Sequence, residues 1–286
     1  MAKSSIELLL ERETRVSYGA VPAGLFEDPL KQMSWQMGED AFLLRGEGDH
    51  YFYYRPGKGV RVHRGADADV SEESLWLNGS VYSAIASMNG LLPIHASAVA
   101  YDGLVYAFTG AAGAGKSTLV AALGKHELPM FCDDTLVLDL SCPDRVMCLP
   151  GHKRLKLRDD AFALTGAAKE EQVSRTYEKH YAAPSAGTVE KILPLGELIF
   201  LEAGPEPVLT QLSGSERFVR IADDHQTAYL FEAARRSSRS EQFAHRARLA
   251  KQIQMLCFKR PRDAARFDEG VALIAEHIKK CRRLNA

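Results

Sequence analysis

Gly110-Ala111-Ala112-Gly113-Ala114-Gly115-Lys116-Ser117-Thr118 is a complete G-x-x-x-x-G-K-[ST] sequence, and its surroundings suit it. Leu104-Val105-Tyr106-Ala107-Phe108-Thr109 reads as a short buried strand feeding it. Leu119-Val120-Ala121-Ala122-Leu123 continues as a helix that Gly124 stops. In such a phosphate loop the glycines let the backbone close around a phosphate with its N–H groups pointing inward, and the helix N-terminus adds a favourable dipole. A lysine at this place reaches the β- and γ-phosphates, and the hydroxyl that follows, here Ser117, can hold Mg²⁺. Composition alone produces such a match in roughly one random chain of this length per hundred, and the flanking strand and helix make coincidence rarer. The expectation is a nucleoside-triphosphate site over residues 110–118, with ATP and Mg²⁺ as cofactors.

The rest of the composition is unremarkable for a globular protein. The chain has 286 residues, 46% hydrophobic and 26% charged, with a net charge of −1, so nothing advertises nucleic acid or a membrane as partner. Five cysteines (Cys132, Cys142, Cys148, Cys257, Cys281) include no C-x-x-C pair. They read as reduced thiols rather than a disulfide framework or zinc site. Met1 to Glu7 lacks the apolar core of a signal peptide. Ser74 to Tyr101 contains no Asp, Glu, Lys or Arg, but its Asn, Gly, Ser and Pro residues make it a core helix plus a buried strand. A cytoplasmic location is expected.

Working outward from the loop, Pro93–Tyr101 and Leu104–Thr109 are two strands joined by the tight Asp102-Gly103 turn, a hairpin entering the loop. Leu128 to Phe131 is strand-like and ends in Asp133-Asp134, with Leu136-Val137-Leu138 beyond. Glu197 to Leu201 is a further strand, which Gly204-Pro205 ends. Upstream, Tyr51–Arg55 and Val60–Arg64 flank Pro56-Gly57-Lys58-Gly59 as a hairpin, and Ser71 starts a helix with Leu77, Val81, Ile85 and Met88 on one face and Asn89-Gly90 as its stop. Ala167 to Lys191 is polar and weakly patterned, a candidate mobile loop over the site. From about Ser215 the pattern turns helical. This gives an α/β organisation in three parts: a small β-rich N-terminal module (1–90), a P-loop core (91–232), which the resemblance given below makes a kinase core, and a basic helical C-terminal region (233–286).

Beyond Lys116 and Ser117, the residues that carry chemistry are Asp133 and Asp134, 17 residues past the lysine at a strand end. One carboxylate here can organise Mg²⁺, and a second beside it can accept the proton of an attacking hydroxyl. The plainer alternative is a turn in which one Asp caps the next segment. His95 precedes the loop hairpin, where a lone histidine is more often a satisfied core residue. His152-Lys153-Arg154-Leu155-Lys156-Leu157-Arg158 alternates cations with leucine, so it is either a solvated edge strand or a clamp on an acidic group. Residues 235–286 carry 14 Lys or Arg against 5 Asp or Glu. A solvated helix face explains this, with Leu249, Ile253, Leu256, Val271, Ile274 and Ile278 on the apolar side; attraction of an acidic partner is the alternative.

Taken in order, His95-Ala96-Ser97, Gly110 to Thr118, Asp133-Asp134 and Leu195 to Leu201 resemble the catalytic domain of HPr kinase/phosphorylase and its relatives. The resemblance spans about Leu91 to Glu232. It implies the PEP-carboxykinase-like architecture, a twisted mixed sheet with flanking helices. It also implies the roles: Lys116 on the β/γ-phosphates, Ser117 and Asp134 on Mg²⁺, Asp133 as base toward a serine hydroxyl, and His95 near the nucleotide. Ser117-Thr118-Leu119 departs from the Ser-Glu that follows the loop lysine in the regulatory enzymes, which argues against phosphorylase activity. The layout is more similar to stand-alone kinases of peptide natural-product clusters, including those acting on lasso peptide precursors. The expected partner is a peptide or small protein with an acceptor serine. Self-association as a homo-oligomer is open. A small-metabolite kinase and a non-catalytic nucleotide-gated switch are the rival readings.

Overall fold

The computed structural model describes residues 4–25, 34–222, 230, 233–234 and 239–281. The boundary expected at 232–233 and the basic residues Arg235, Arg236, Arg282 and Arg283 lie outside or at the margin of that set. Within it the fold is mixed α/β, built on three sheets.

The first sheet comes from the aromatic, β-branched stretch near the N-terminus. Strands β1 (Val16–Tyr18), β2 (Trp35–Met37), β3 (Phe42–Arg45), β4 (Tyr51–Arg55) and β5 (Gly59–His63) stand in the order β1-β5-β4-β3-β2. Phe42, Leu44, Phe52, Tyr54, Val60 and Val62 alternate inward and are buried, as a half-buried sheet requires. Helix α1 (Ser5–Glu13) opens on a capping box at Ser4 and Glu7.

Leu77, Val81, Ile85 and Met88 pack against that sheet from a helical stretch, as their spacing predicts, with Ala84 buried beside them. The stretch is not one regular helix, however. It runs as α2 (Glu72–Trp76), a π-helical turn at Leu77–Val81, and α3 (Tyr82–Met88). The extra residue of a π turn shifts the side-chain register at that point, a feature frequent at functional sites.

The central sheet carries β6 (Leu92–Ile94), β7 (Ala96–Tyr101), β8 (Leu104–Thr109), β9 (Met130–Cys132), β10 (Leu136–Asp139), β11 (Met147–Leu149) and β15 (Leu193–Ala203) in the order β6-β10-β11-β15-β8-β7-β9. The β7–β8 hairpin turns through Asp102 and Gly103, both at positive φ, the geometry that Asp-Gly turns favour. Helix α4 (Lys116–Leu123) follows the glycine loop. Leu119, Val120 and Leu123 are buried, each contributing about 1.5–3 kcal/mol by leaving water.

Two expectations are corrected. Residues 167–191 do not form a bare loop: β13 (Gln172–Ser174) and β14 (Tyr177–Ala182) make a hairpin that pairs with β12 (Leu155–Leu157) as a third sheet, order β12-β14-β13. Backbone pairing to β12 outweighs the polar composition of the segment. The C-terminal region is also not wholly helical. Gln254–Arg260 forms a strand, β17, which joins the central sheet parallel to β15 and takes β16 (Val208–Gln211) on its far side. Met255-Leu256-Cys257-Phe258 is a continuous buried apolar run, a pattern that periodicity cannot tell from a buried helix. Leu249 lies in the last turn of a helix (Arg239–Gln252), Ile253 directly follows that helix, and Leu256 belongs to the strand. Val271, Ile274 and Ile278 do form the buried face of the last helix, Phe267–Cys281.

No helix among the described residues is long and apolar enough to cross a membrane. Cys132, Cys142, Cys148 and Cys257 are free thiols.

Candidate active site

Strand directions gather the candidate residues at one edge. Strand β7 is antiparallel both to β8 and to β9, so β8 and β9 run the same way. The loop after Thr109 and the Asp133-Asp134 pair after Cys132 therefore leave the sheet at the same edge. Strands β15 and β17 are parallel to β8 and bring Ala203 and Arg260 there too. Ligands of α/β sheets gather at the carboxyl ends of the strands.

The loop is shaped by its glycines. Gly110 sits at φ 138° and a Cβ there would lie 2.8 Å from the Leu201 carbonyl oxygen. Gly115, at φ 84°, would place a Cβ 2.4 Å from Nη2 of Arg260. Gly115→Ala is therefore expected to cost about 1–2 kcal/mol in backbone strain alone, and to displace Arg260 as well. Chemical denaturation and nucleotide titration of the variant measure the two effects separately. Lys116 is buried, and its Nζ donates to the carbonyls of Gly110, at 2.9 Å, and Ala111, at 3.3 Å. Ser117 follows it in the first turn of α4. Gly110, Gly113 and Gly115, all at positive φ, turn the backbone into the start of α4, and a helix N-terminus after a glycine loop is a place where anions bind.

The Asp pair divides into unlike halves. Asp133 is 1% exposed. Its Oδ1 accepts from Ser97 Oγ at 2.6 Å, and its Oδ2 accepts the Lys156 backbone N–H at 3.1 Å. The side chain of Asp134 is 30% exposed, and its Oδ2 meets Lys156 Nζ at 2.6 Å. The Nδ1 of His95 lies 2.9 Å from the Asp134 carbonyl oxygen and 3.3 Å from Oδ1. Asp134 has φ 73°, a left-handed conformation that Asp tolerates better than most residues. Burial alone would raise its pKa, but Lys156 and then His95 outweigh that and bring it down to about 2, so the carboxylate is ionised throughout the neutral range.

Of the sequence candidates, His95, Asp133 and Asp134 are in contact. Lys116 and Ser117 share their edge of the sheet. Both aspartates have both oxygens engaged, but Asp133 is buried and bonded to Ser97 and the Lys156 amide, whereas Asp134 is only partly buried and its partners are the ionisable groups Lys156 and His95.

Lys156 is the residue that alternation misled. On an edge strand it is expected in solvent, yet it is 4% exposed and turned onto Asp134. Its neighbours are engaged elsewhere: Lys153 donates to backbone carbonyls of Phe131 and Val189, and Arg154 pairs with Glu170 and Glu171 over the Tyr181 ring. None of these three is a free clamp.

The N-terminal part walls the site. A Cβ built on Gly79, in the π turn, lies 3.7 Å from Asp134 Oδ2. Beside it a cavity of 780 Å³ runs between α1, the π turn and the 149–152 segment, with Leu77, Asn78, Tyr82, Pro150 and His152 among its lining. The His152 carbonyl accepts the Asp133 N–H at 3.2 Å. Burial, and then Lys156, push the His152 pKa from 6.5 down to about 4. Between those values the unfolded chain binds a proton that the folded one does not, so His152 makes stability fall as pH drops from 6.5 toward 4. Equilibrium denaturation across that window should show a positive slope with pH, flattened in His152→Asn.

Mg²⁺ takes oxygen donors and commonly uses one or two carboxylates with phosphate oxygens and water rather than an all-protein cage. Among the described residues no group of three or more His, Cys, Asp and Glu could hold a metal alone. The ionised, partly exposed Asp134 carboxylate and the Ser117 hydroxyl are donors of the kind that cation takes when a polyphosphate completes its shell.

No family model matches the chain, and no curated protein matches it. Among solved structures, the HPr(Ser) kinase/phosphatase from Coxiella burnetii is similar over 66% of this chain and 90% of that one, at 14% identity and a TM-score of 0.35. That is a distant likeness of fold, and the chemistry rests on the residues themselves.

Proposed function

We propose that this protein is a Mg²⁺/ATP-dependent kinase that transfers the γ-phosphoryl group to a serine hydroxyl of a peptide or small protein. The observation that carries the reading is Asp134: an ionised, partly exposed carboxylate held by Lys156 and His95, at the same sheet edge as a complete phosphate loop. Phosphoryl transfer asks the protein mainly for positioning and charge stabilisation. The loop N–H groups other than that of Ala114, which donates to the Ala111 carbonyl, and the Lys116 ammonium bind the polyphosphate. Ser117 and Asp134 are the oxygen donors for Mg²⁺, which when bound neutralises phosphate charge. Asp134 is also the negative group toward which the acceptor's proton moves. Asp133, bonded to Ser97 and the Lys156 amide, is a positioning residue that fixes the turn carrying Asp134.

The acceptor segment is assigned to the cavity beside the π turn, because Asn78 on its wall is next in sequence to Gly79, which faces Asp134, and because it has the volume of a ligand pocket. A peptide acceptor of the lasso-precursor kind, with serine near one end, is the substrate class this reading favours over a free metabolite. The test is incubation with γ-labelled ATP and a panel of serine peptides. Label on serine supports the reading; label released only as free phosphate, whatever acceptor is offered, refutes it.

A further inference from the structure

Arg260 has no place in the roles assigned so far, yet it touches the loop at its centre. As the last residue of β17 it leaves the sheet beside Ala203. Its Nη2 donates to the Ala114 carbonyl oxygen at 3.0 Å, and the same nitrogen lies where a Cβ on Gly115 would fall. Its stem is fixed from behind: the Phe267 ring centroid is 5.6 Å from the guanidinium carbon, and Gly270 leaves room for the Arg260 Cδ.

The charge around it is one-sided. Among the described residues no carboxylate lies within ion-pair distance of Arg260. The nearby acids are engaged: Asp263 caps Ala265, while Glu206 and Glu269 hold Arg266. The charged neighbour that Arg260 does feel is another cation, Arg262. Burial and that like charge both push its pKa down, against the ionised form. A half-buried guanidinium beside a second one is costly in the protein alone and becomes favourable once an anion is shared between them.

We infer that Arg260 is a second cationic ligand of the triphosphate, reaching the phosphates across Gly115 from the side opposite the Asp pair, with Arg262 adding to the field. A guanidinium suits this place because its fork can keep one N–H on Ala114 while directing others at phosphate oxygens. The assignment rests on the nucleotide-binding reading above.

The test compares Arg260→Gln, which keeps an amide donor but removes charge, with Arg260→Lys, which keeps the charge. Binding of a fluorescent ATP analogue and of adenosine is measured for each, together with melting in the absence of nucleotide. Arg260→Gln is expected to weaken ATP binding about tenfold or more and Arg260→Lys by no more than about threefold, with adenosine affinity unchanged in both. In the wild-type chain, ATP but not adenosine should protect Arg260 from phenylglyoxal, read by peptide mass. That arm serves if a variant fails to fold. Normal ATP binding by folded Arg260→Gln, equal loss of ATP and adenosine binding, or modification of Arg260 at the same rate with ATP present would overturn the inference. A wild-type chain that binds no ATP at all would instead overturn the nucleotide reading itself.

Discussion

Lys116→Met is expected to weaken ATP binding by at least about a hundredfold, the scale of losing a charge-assisted contact to phosphate in a partly desolvated site. Methionine nearly preserves the buried stem, so the helix that begins at residue 116 keeps its packing. The lost ammonium leaves the Gly110 and Ala111 carbonyls without their side-chain donor, which should lower stability by about 1–2 kcal/mol. Calorimetric titration with ATP and denaturant unfolding separate the two losses. A variant that is less stable yet binds ATP normally would show that Lys116 only closes the loop.

Asp134→Asn should reduce phosphoryl transfer by about 10²–10⁴-fold, the range for removing a positioned acid–base group, while ATP binding without metal changes little. The substitution removes the charge that Lys156 faces at 2.6 Å and the partly exposed carboxylate of the site. Asp133→Asn should behave differently. Its amide oxygen can still accept the Lys156 N–H, but its NH2 then faces Ser97 Oγ, whose hydroxyl must turn to accept it and loses its own acceptor. The expected cost is about 1–3 kcal/mol of stability, because a buried donor is left unmatched, with a smaller loss of transfer. The reverse ranking, with Asp133→Asn stable and inactive and Asp134→Asn active, would return the proton-accepting role to Asp133.

That ranking also shows what the sequence could carry. The loop, the strand before it and the helix after it were legible because each obeys a local rule: alternation, glycine turns and a helix start. The Asp102-Gly103 hairpin and the strand around Glu197–Leu201 were legible for the same reason. Which aspartate faces outward was not, because it depends on Ser97 and Lys156, which lie 36 and 23 residues away from Asp133. Arg260 was hidden for a related reason. Residues 254–260 sit in a basic, helix-patterned region, and only pairing with β15 makes them a strand that ends at the glycine loop. The π turn at Leu77–Val81 leaves no mark on apolar spacing, since Leu77, Val81 and Ile85 repeat every four residues with or without it.

Quenched-flow transfer of label from γ-labelled ATP to a serine peptide, measured for wild type and Asp134→Asn at equal ATP occupancy, tests the central claim most directly. Labelled phosphoserine from the wild-type chain, falling at least about a hundredfold in the variant, is the predicted result. ATP binding without label on any hydroxyl acceptor, or equal transfer by both proteins, would contradict it.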